Sequence, residues 1–142
     1  MKKQKPPAKP ELEALSEFRY QLRRFLHFSE EAAQAEGLTP QQYQLLLHVK
    51  GYPGRDWATV SELAERLQVR PHGALALVAR CEALGLVCRE SGPTDKRQVL
   101  VRLSPEGEAR LLRLADLHRR ELRSLQEVFQ VAHISAFTAQ WQ

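Results

Sequence analysis

The sequence predicts a mainly α chain with a small β wing, and three observations carry that prediction. Two short helical segments adjoin across a tight turn between Thr59 and Gly85. A strand, a polar tip and a second strand follow, ending at Leu103. Long apolar stripes at helical spacing flank this block on both sides.

The chain opens on MKKQKPPAKP, with three prolines, four lysines and no acid. Residues 1–10 cannot bury apolar surface and are expected to form a disordered basic tail. The tail is either an arm that adds phosphate contacts or a solvated leader, and the second reading is the commoner fate of a terminus. No apolar segment follows it, so no secretory signal is expected.

Glu11 to Glu36 reads as one helix, with Leu12, Leu15, Phe18, Leu22, Phe25, Leu26 and Ala33 at spacings of three and four. Phe28 lies off that stripe and widens it. Such a helix carries more apolar surface than one small core needs, and a dimer seam accounts for the excess. Gly37 ends it. Thr39 and Gln42 then form a capping box, with Pro40 at the first helical position, and Tyr43, Leu46, Leu47 and Lys50 continue the second helix. GYPGRDWA is a turn-rich loop. Trp57 or Ala58 starts a short strand.

Thr59 and Glu62 make a second capping box, followed by Leu63, Ala64 and Leu67 on one face. Gln68, Val69 and Arg70 suffice only for a sharp turn. Pro71 opens the next helix, which runs to about Leu84 with Ala74, Leu77, Val78 and Cys81 inward, and Gly85 closes it. Two helices joined this way form a helix-turn-helix, whose second helix enters the DNA major groove. Its outer face offers Arg70, His72, Gly73, Leu75, Ala76, Ala79 and Arg80. Arg70 can reach guanine or phosphate, His72 can donate to either, and Gly73 admits close backbone approach. Leu75 and Ala76 can read only thymine methyls. DNA-binding residues are therefore expected at Arg70, His72, Gly73, Ala76 and Arg80, with few direct base hydrogen bonds.

Leu86, Val87 and Cys88 lead a strand into Arg89, and Ser91, Gly92, Pro93 and Thr94 are turn formers. Val99, Val101 and Leu103 alternate with Leu100 and Arg102, the period of a half-buried strand. The hairpin tip carries Asp95, Lys96 and Arg97. Arg97 is expected in a minor groove and Lys96 on a phosphate. Ser104 caps and Pro105 opens a last long helix, with Leu111, Leu112, Leu114, Ala115, Leu117, Leu122, Leu125 and Val128 apolar. Arg110, Asp116, Arg119 and Glu121 read as its solvated face. Val131 to Trp141 forms a final short helix in this reading.

Leu63-Ala64, Gly85-Leu86-Val87-x-Arg89, Asp95-Lys96-Arg97 and Val101-x-Leu103-Ser104-x-x-Gly107 resemble the MarR family of bacterial transcription regulators. The resemblance runs from about Glu11 to Phe129. It implies one domain over 11–142, with dimerisation helices at 11–36 and 105–142 around a winged helix-turn-helix at 39–104. It also implies a homodimeric repressor or activator, with repression the favoured reading, often released from DNA by a small, commonly aromatic effector. A symmetric dimer calls for a pseudo-palindromic double-stranded DNA operator, and two cysteines outside any disulfide framework suit a reducing cytoplasm. The strand near Trp57 would pair with the wing, and Asp95 would brace it by pairing with Arg89 or Arg97. The chain departs from the family after Val128, where it is shorter and more polar, and at the start of the recognition helix, where Ser or Thr is usual. A winged-helix module for protein contact alone is the alternative reading.

Charge supports DNA binding only weakly. The chain carries +4, but four of its 21 Lys and Arg lie in the tail, and the rest equal the 17 Asp and Glu in number. The five histidines show neither H-E-x-x-H nor Cys/His spacing, so neither metal nor other cofactor is expected. No Gly-rich phosphate loop or G-x-S-x-G is present, so no enzyme is expected. Cys81 and Cys88 read as two thiols in apolar surroundings, too few for a disulfide scaffold. No apolar run reaches the length of a membrane span.

Overall fold

The computed structural model describes residues 4–125. They form five helices and a three-stranded antiparallel sheet: α1 (Lys9–Ala35), α2 (Pro40–Lys50), β1 (Trp57–Thr59), α3 (Val60–Leu67), α4 (Pro71–Ala83), β2 (Val87–Ser91), β3 (Val99–Leu103) and α5 (Pro105–Leu125). Val128 and the expected helix from Val131 lie outside the described residues. The residues group into two units, Glu30–Asp116 on one side and those up to Ser29 with those from Leu117 on the other.

The first helix starts earlier than expected. The Ala8 carbonyl accepts the Glu11 and Leu12 amides at 3.0 and 3.1 Å, which draws Lys9 and Pro10 out of the tail. Pro10 is tolerated because first-turn amides have no helical partner. At the far end Gly37 takes φ +76° and the Leu38 amide returns to the Ala33 carbonyl. In the smaller unit, His118 of α5 is buried between the Phe25 and Phe28 rings and lies 2.8 Å from the Ser29 hydroxyl.

The core of the larger unit gathers Leu45, Leu46 and Val49 of α2, Leu63 of α3, Val78 and Cys81 of α4, Leu86, Val101, and Leu111 and Leu114 of α5. Burial pushes the Cys81 thiol up to about 11, against the opposing effect of the Arg80 charge. The Thr39–Gln42 capping box forms in both directions at 3.1 and 3.0 Å.

Strand order is β1-β3-β2, so the last strand is central. Ala58 pairs with Val101, and Val87 and Ser91 pair with Leu103 and Val99. The strict alternation expected of β3 fails at Leu100, which is buried along with Val101. Thr59 and Glu90 flank it in register, and a central strand has neighbours to cover both faces. Cys88 corrects the expectation in the other direction. Val87 points into the core, so Cys88 turns outward and is exposed.

The start of α5 is pinned to the end of α4. The Ser104 hydroxyl donates to the Gly85 carbonyl at 2.5 Å and accepts the Gly107 amide at 3.0 Å. The Ser104 amide donates to the Leu86 carbonyl at 2.9 Å. A Cβ on Gly107 would stand 2.0 Å from that carbonyl oxygen, so the close approach requires glycine. Arg110 is not simply on a solvated face. It pairs with Glu106 at 3.1 Å and reaches the Glu36 carbonyl at 3.4 Å, while Arg113 binds the Glu36 carboxylate.

Candidate nucleic-acid interface

The interface is built from α3, α4 and the β2–β3 wing. Thr59 caps α3: its hydroxyl accepts the Glu62 amide at 3.2 Å, and the Glu62 carboxylate accepts the Thr59 amide at 2.9 Å. The second Glu62 oxygen takes the Arg55 guanidinium. That guanidinium lies 4.1 Å from the Tyr52 ring centre and 3.9 Å from that of Trp57. The turn-rich loop is thereby clamped onto the first residues of the helix-turn-helix. Burial, then the nearby Arg66 charge, lowers the pKa of His48 on α2.

Gln68 ends α3 at φ +54°, in a left-handed conformation usually given to glycine. Its amide side chain donates to the Glu65 carbonyl at 2.7 Å, a local bond that favours this geometry. Arg70 is extended at the start of α4 and Pro71 occupies the first turn. Ala74, Leu77, Val78 and Cys81 face inward, as the spacing predicts. Arg70, His72, Ala76, Ala79 and Arg80 are exposed, and Leu75 is exposed by 41%. The rotation of α4 therefore puts the expected reading face toward solvent.

Between α4 and the wing lies a groove of about 490 Å³. His72, Leu75 and Arg97 line it, joined by Thr59, Ser61 and Gln98. The sequence reading gave Thr59 only a capping role and assigned neither Ser61 nor Gln98 to the site. Ser61 stands in the first turn of α3 and Gln98 directly after the cationic tip, so the available signal was adjacency to the motif. Gly73, Ala76 and Arg80 face the opposite flank of the helix.

The wing is tied by its main chain. The Gly92 amide donates to the Gln98 carbonyl and the Gln98 amide to the Asp95 carbonyl, at 3.0 and 3.1 Å. A Cβ on Gly92 would meet the Asp95 carbonyl at 2.5 Å. The Asp95 carboxylate accepts the Arg97 main-chain amide at 3.0 Å. It braces the tip through the backbone, and the expected pairing with Arg89 is replaced. Arg89 instead grips Glu82 of α4 with contacts of 2.9 and 3.2 Å, because β2 emerges beside the helix it follows. That hydrogen bond holds the Glu82 carboxyl below its usual range. Across the sheet, Arg102 joins Glu90 at 2.6 Å and Asp56 at 3.2 Å.

Several cations are committed to acidic partners, and those around α4 and the wing tip are not. Arg55, Arg89, Arg102, Arg110 and Arg113 are committed to carboxylates. Among the described residues, the side chains of Arg70, Arg80, Lys96 and Arg97 make no ion pair, and all four are exposed around α4 and the wing tip. No group of three or more His, Cys, Asp or Glu side chains is placed to hold a metal among the described residues. None of the described helices is long and apolar enough to cross a membrane.

A family model described as the MarR family matches residues 36–98. The HTH-type transcriptional repressor MdtR of Bacillus subtilis is 31% identical over 116 residues, covering 78% of this chain and 73% of that protein. Among solved structures, AbsC, a MarR family transcriptional regulator from Streptomyces coelicolor, matches with a TM-score of 0.76 at 21% identity, over 98% of this chain and 94% of its own. A mutant MarR from E. coli, solved in complex with operator DNA, matches with a TM-score of 0.67 at 21% identity over 87% of both chains. With capped helix-turn-helix, wing and matched sequence in agreement, the chain belongs to the MarR family of transcriptional regulators.

Proposed function

We propose that the chain binds a pseudo-palindromic double-stranded DNA operator as a homodimer and represses transcription there. One observation carries the reading: Arg70, Arg80, Lys96 and Arg97, exposed around α4 and the wing tip, have no acidic partner among the described residues. Unpaired Lys and Arg release counterions from DNA, and this supplies most of the affinity. In this reading α4 enters the major groove, with Leu75 and Ala76 against thymine methyls and His72 on a base or phosphate. Arg97 enters the minor groove and Lys96 meets a phosphate. The relatives support it: one is a repressor and a fold neighbour was solved on operator DNA.

The dimer is supported by α1. Leu12, Leu15 and Leu26 lie on one stripe and remain 42–50% exposed. On the same helix Gln21 is buried, and its Oε1 finds no donor among the described residues. A second copy would cover the stripe, and two recognition helices would then meet half-sites about 10 bp apart. A small aromatic effector belongs to the same reading, acting by favouring a conformer with respaced recognition helices.

Selection from random duplex DNA, followed by titration of wild type and Arg97→Ala across a salt series, tests the proposal. A palindrome should be enriched, and Arg97→Ala should lose affinity and about one unit of salt slope if Arg97 neutralises a phosphate. No enrichment, with both proteins equally weak, would sink it in favour of a protein-contact module.

A further inference from the structure

The recognition helix has a second flank. On the side of α4 away from the wing lies a cleft of about 200 Å³ between α2 and α4. Its rim is formed by Gln41 and Gln44 of α2 and Arg80 of α4, with Gly73 and Ala76 along the helix edge and Leu67 beneath. No acidic side chain lines it. Arg80 makes no ion pair among the described residues. Both glutamines lie within the first two turns of α2, and neither side chain is used by the capping box, which takes Gln42.

Helix and groove dimensions give this flank a partner. An α-helix with its side chains is about 10–12 Å across, and the B-DNA major groove is about 12 Å wide. A helix in that groove fills it from wall to wall, so its two flanks face different strands. Arg97 and Lys96 serve only the wing side. We propose that Gln41, Gln44 and Arg80 form a second clamp, which holds the sugar-phosphate backbone of the strand opposite the wing. This rests on the DNA reading above and adds two residues of α2 to the interface.

The chemistry is divided between the groups. Arg80 neutralises one phosphate, and the glutamine amides donate to the same or the next one without charge. Gly73 and Ala76 leave the helix edge low enough for the backbone to approach. A neutral donor fixes register while adding nothing to non-specific attraction, which suits a site whose helix offers few groups to the bases.

The test uses the full chain on the duplex enriched by selection, read by fluorescence anisotropy over a salt series. Arg80→Gln should lower the salt slope by about one unit. Gln44→Ala should weaken binding several-fold with the slope unchanged. A neutral methylphosphonate at each contacted phosphate opposite the wing should weaken the wild type, and one such position should have no effect on Arg80→Gln. Circular dichroism melts control for folding, since Arg80 is exposed. If Arg97→Ala loses affinity while Arg80→Gln and Gln44→Ala match the wild type, the second clamp is overturned and the DNA reading stands. If the wild type itself selects no duplex, both fall together.

Discussion

Alanine at Gly107 drives a methyl group into the Leu86 carbonyl. The ideal Cβ lies 2.0 Å from the oxygen, 2.9 Å from the carbon and 3.2 Å from Cα. Ordinary carbon contacts begin at about 3.5 Å, so the start of α5 must retreat by roughly 1 Å or more. That retreat breaks the Ser104 amide bond to Leu86 and the Ser104 hydroxyl bond to Gly85. Two bonds at about 0.5–1.5 kcal/mol each and overpacking of about 1–3 kcal/mol oppose the roughly 1 kcal/mol that alanine gains over glycine in a helix. The expected loss is about 3 kcal/mol. Gly73 is the paired control, because its Cβ would meet only the Val69 Cβ, at 4.0 Å. Gly73→Ala should stabilise the fold by about 0.5–1 kcal/mol. Urea unfolding followed by circular dichroism at one fixed protein concentration reads both variants. A Gly107→Ala midpoint at or above that of the wild type, or both variants shifting the same way, would refute the reasoning.

Thr59→Ala removes the acceptor of the Glu62 amide and should lower stability by about 1 kcal/mol in the same urea assay, since it deletes an N-cap. Ellman's reagent should find one fast thiol in the native protein, Cys88, and a second only on unfolding, because Cys81 is buried. The Cys81 thiol is raised from 9.0 to about 11, so the folded state holds its proton more tightly than the unfolded one. The stability this contributes is present below pH 9 and is lost as pH climbs from 9 toward 11. Urea midpoints across that range should fall for the wild type and fall less for Cys81→Ala. Leu15→Glu puts a charge on the exposed stripe of α1 and should convert a dimer to a monomer in sedimentation, with circular dichroism unchanged at low temperature.

Much of the fold was legible because its signals are short-range. Thr39 with Gln42 and Thr59 with Glu62 announce helix starts three residues apart, and both boxes form. Pro71 and Gly85 bracket α4, and its inward stripe follows from a period of 3.6. The exposed face of α4 was therefore readable, since a helix buried on one side shows the other. What escaped depends on register. Arg102 reaches Asp56, 46 positions earlier, only because Trp57 stands opposite it in the sheet. Arg89 prefers Glu82 to Asp95 because β2 departs beside α4, a matter of direction that spacing does not encode. Gln41 and Gln44 drew no notice in the sequence, because they share a rim only where α2 lies against α4. In Ser104-x-x-Gly107 the serine was legible as a cap, and its hydroxyl does accept the Gly107 amide, but the reason for the glycine, which admits the Leu86 carbonyl, was not.

The central place of β3 sets an order of events at the ribosome. β1 and β2 do not pair with each other; each finds its ladder only on β3. The chain must synthesise Trp57 through Ser91 and hold both segments without a sheet until Val99–Leu103 emerges. The helices of the helix-turn-helix involve mainly local contacts and can form first, whereas β1 must wait across about forty residues of chain for its partner. A nascent chain arrested before Val99 has left the exit tunnel would carry the recognition helix but no wing. Completion of one five-residue strand therefore marks when the newborn protein acquires both arms of its grip.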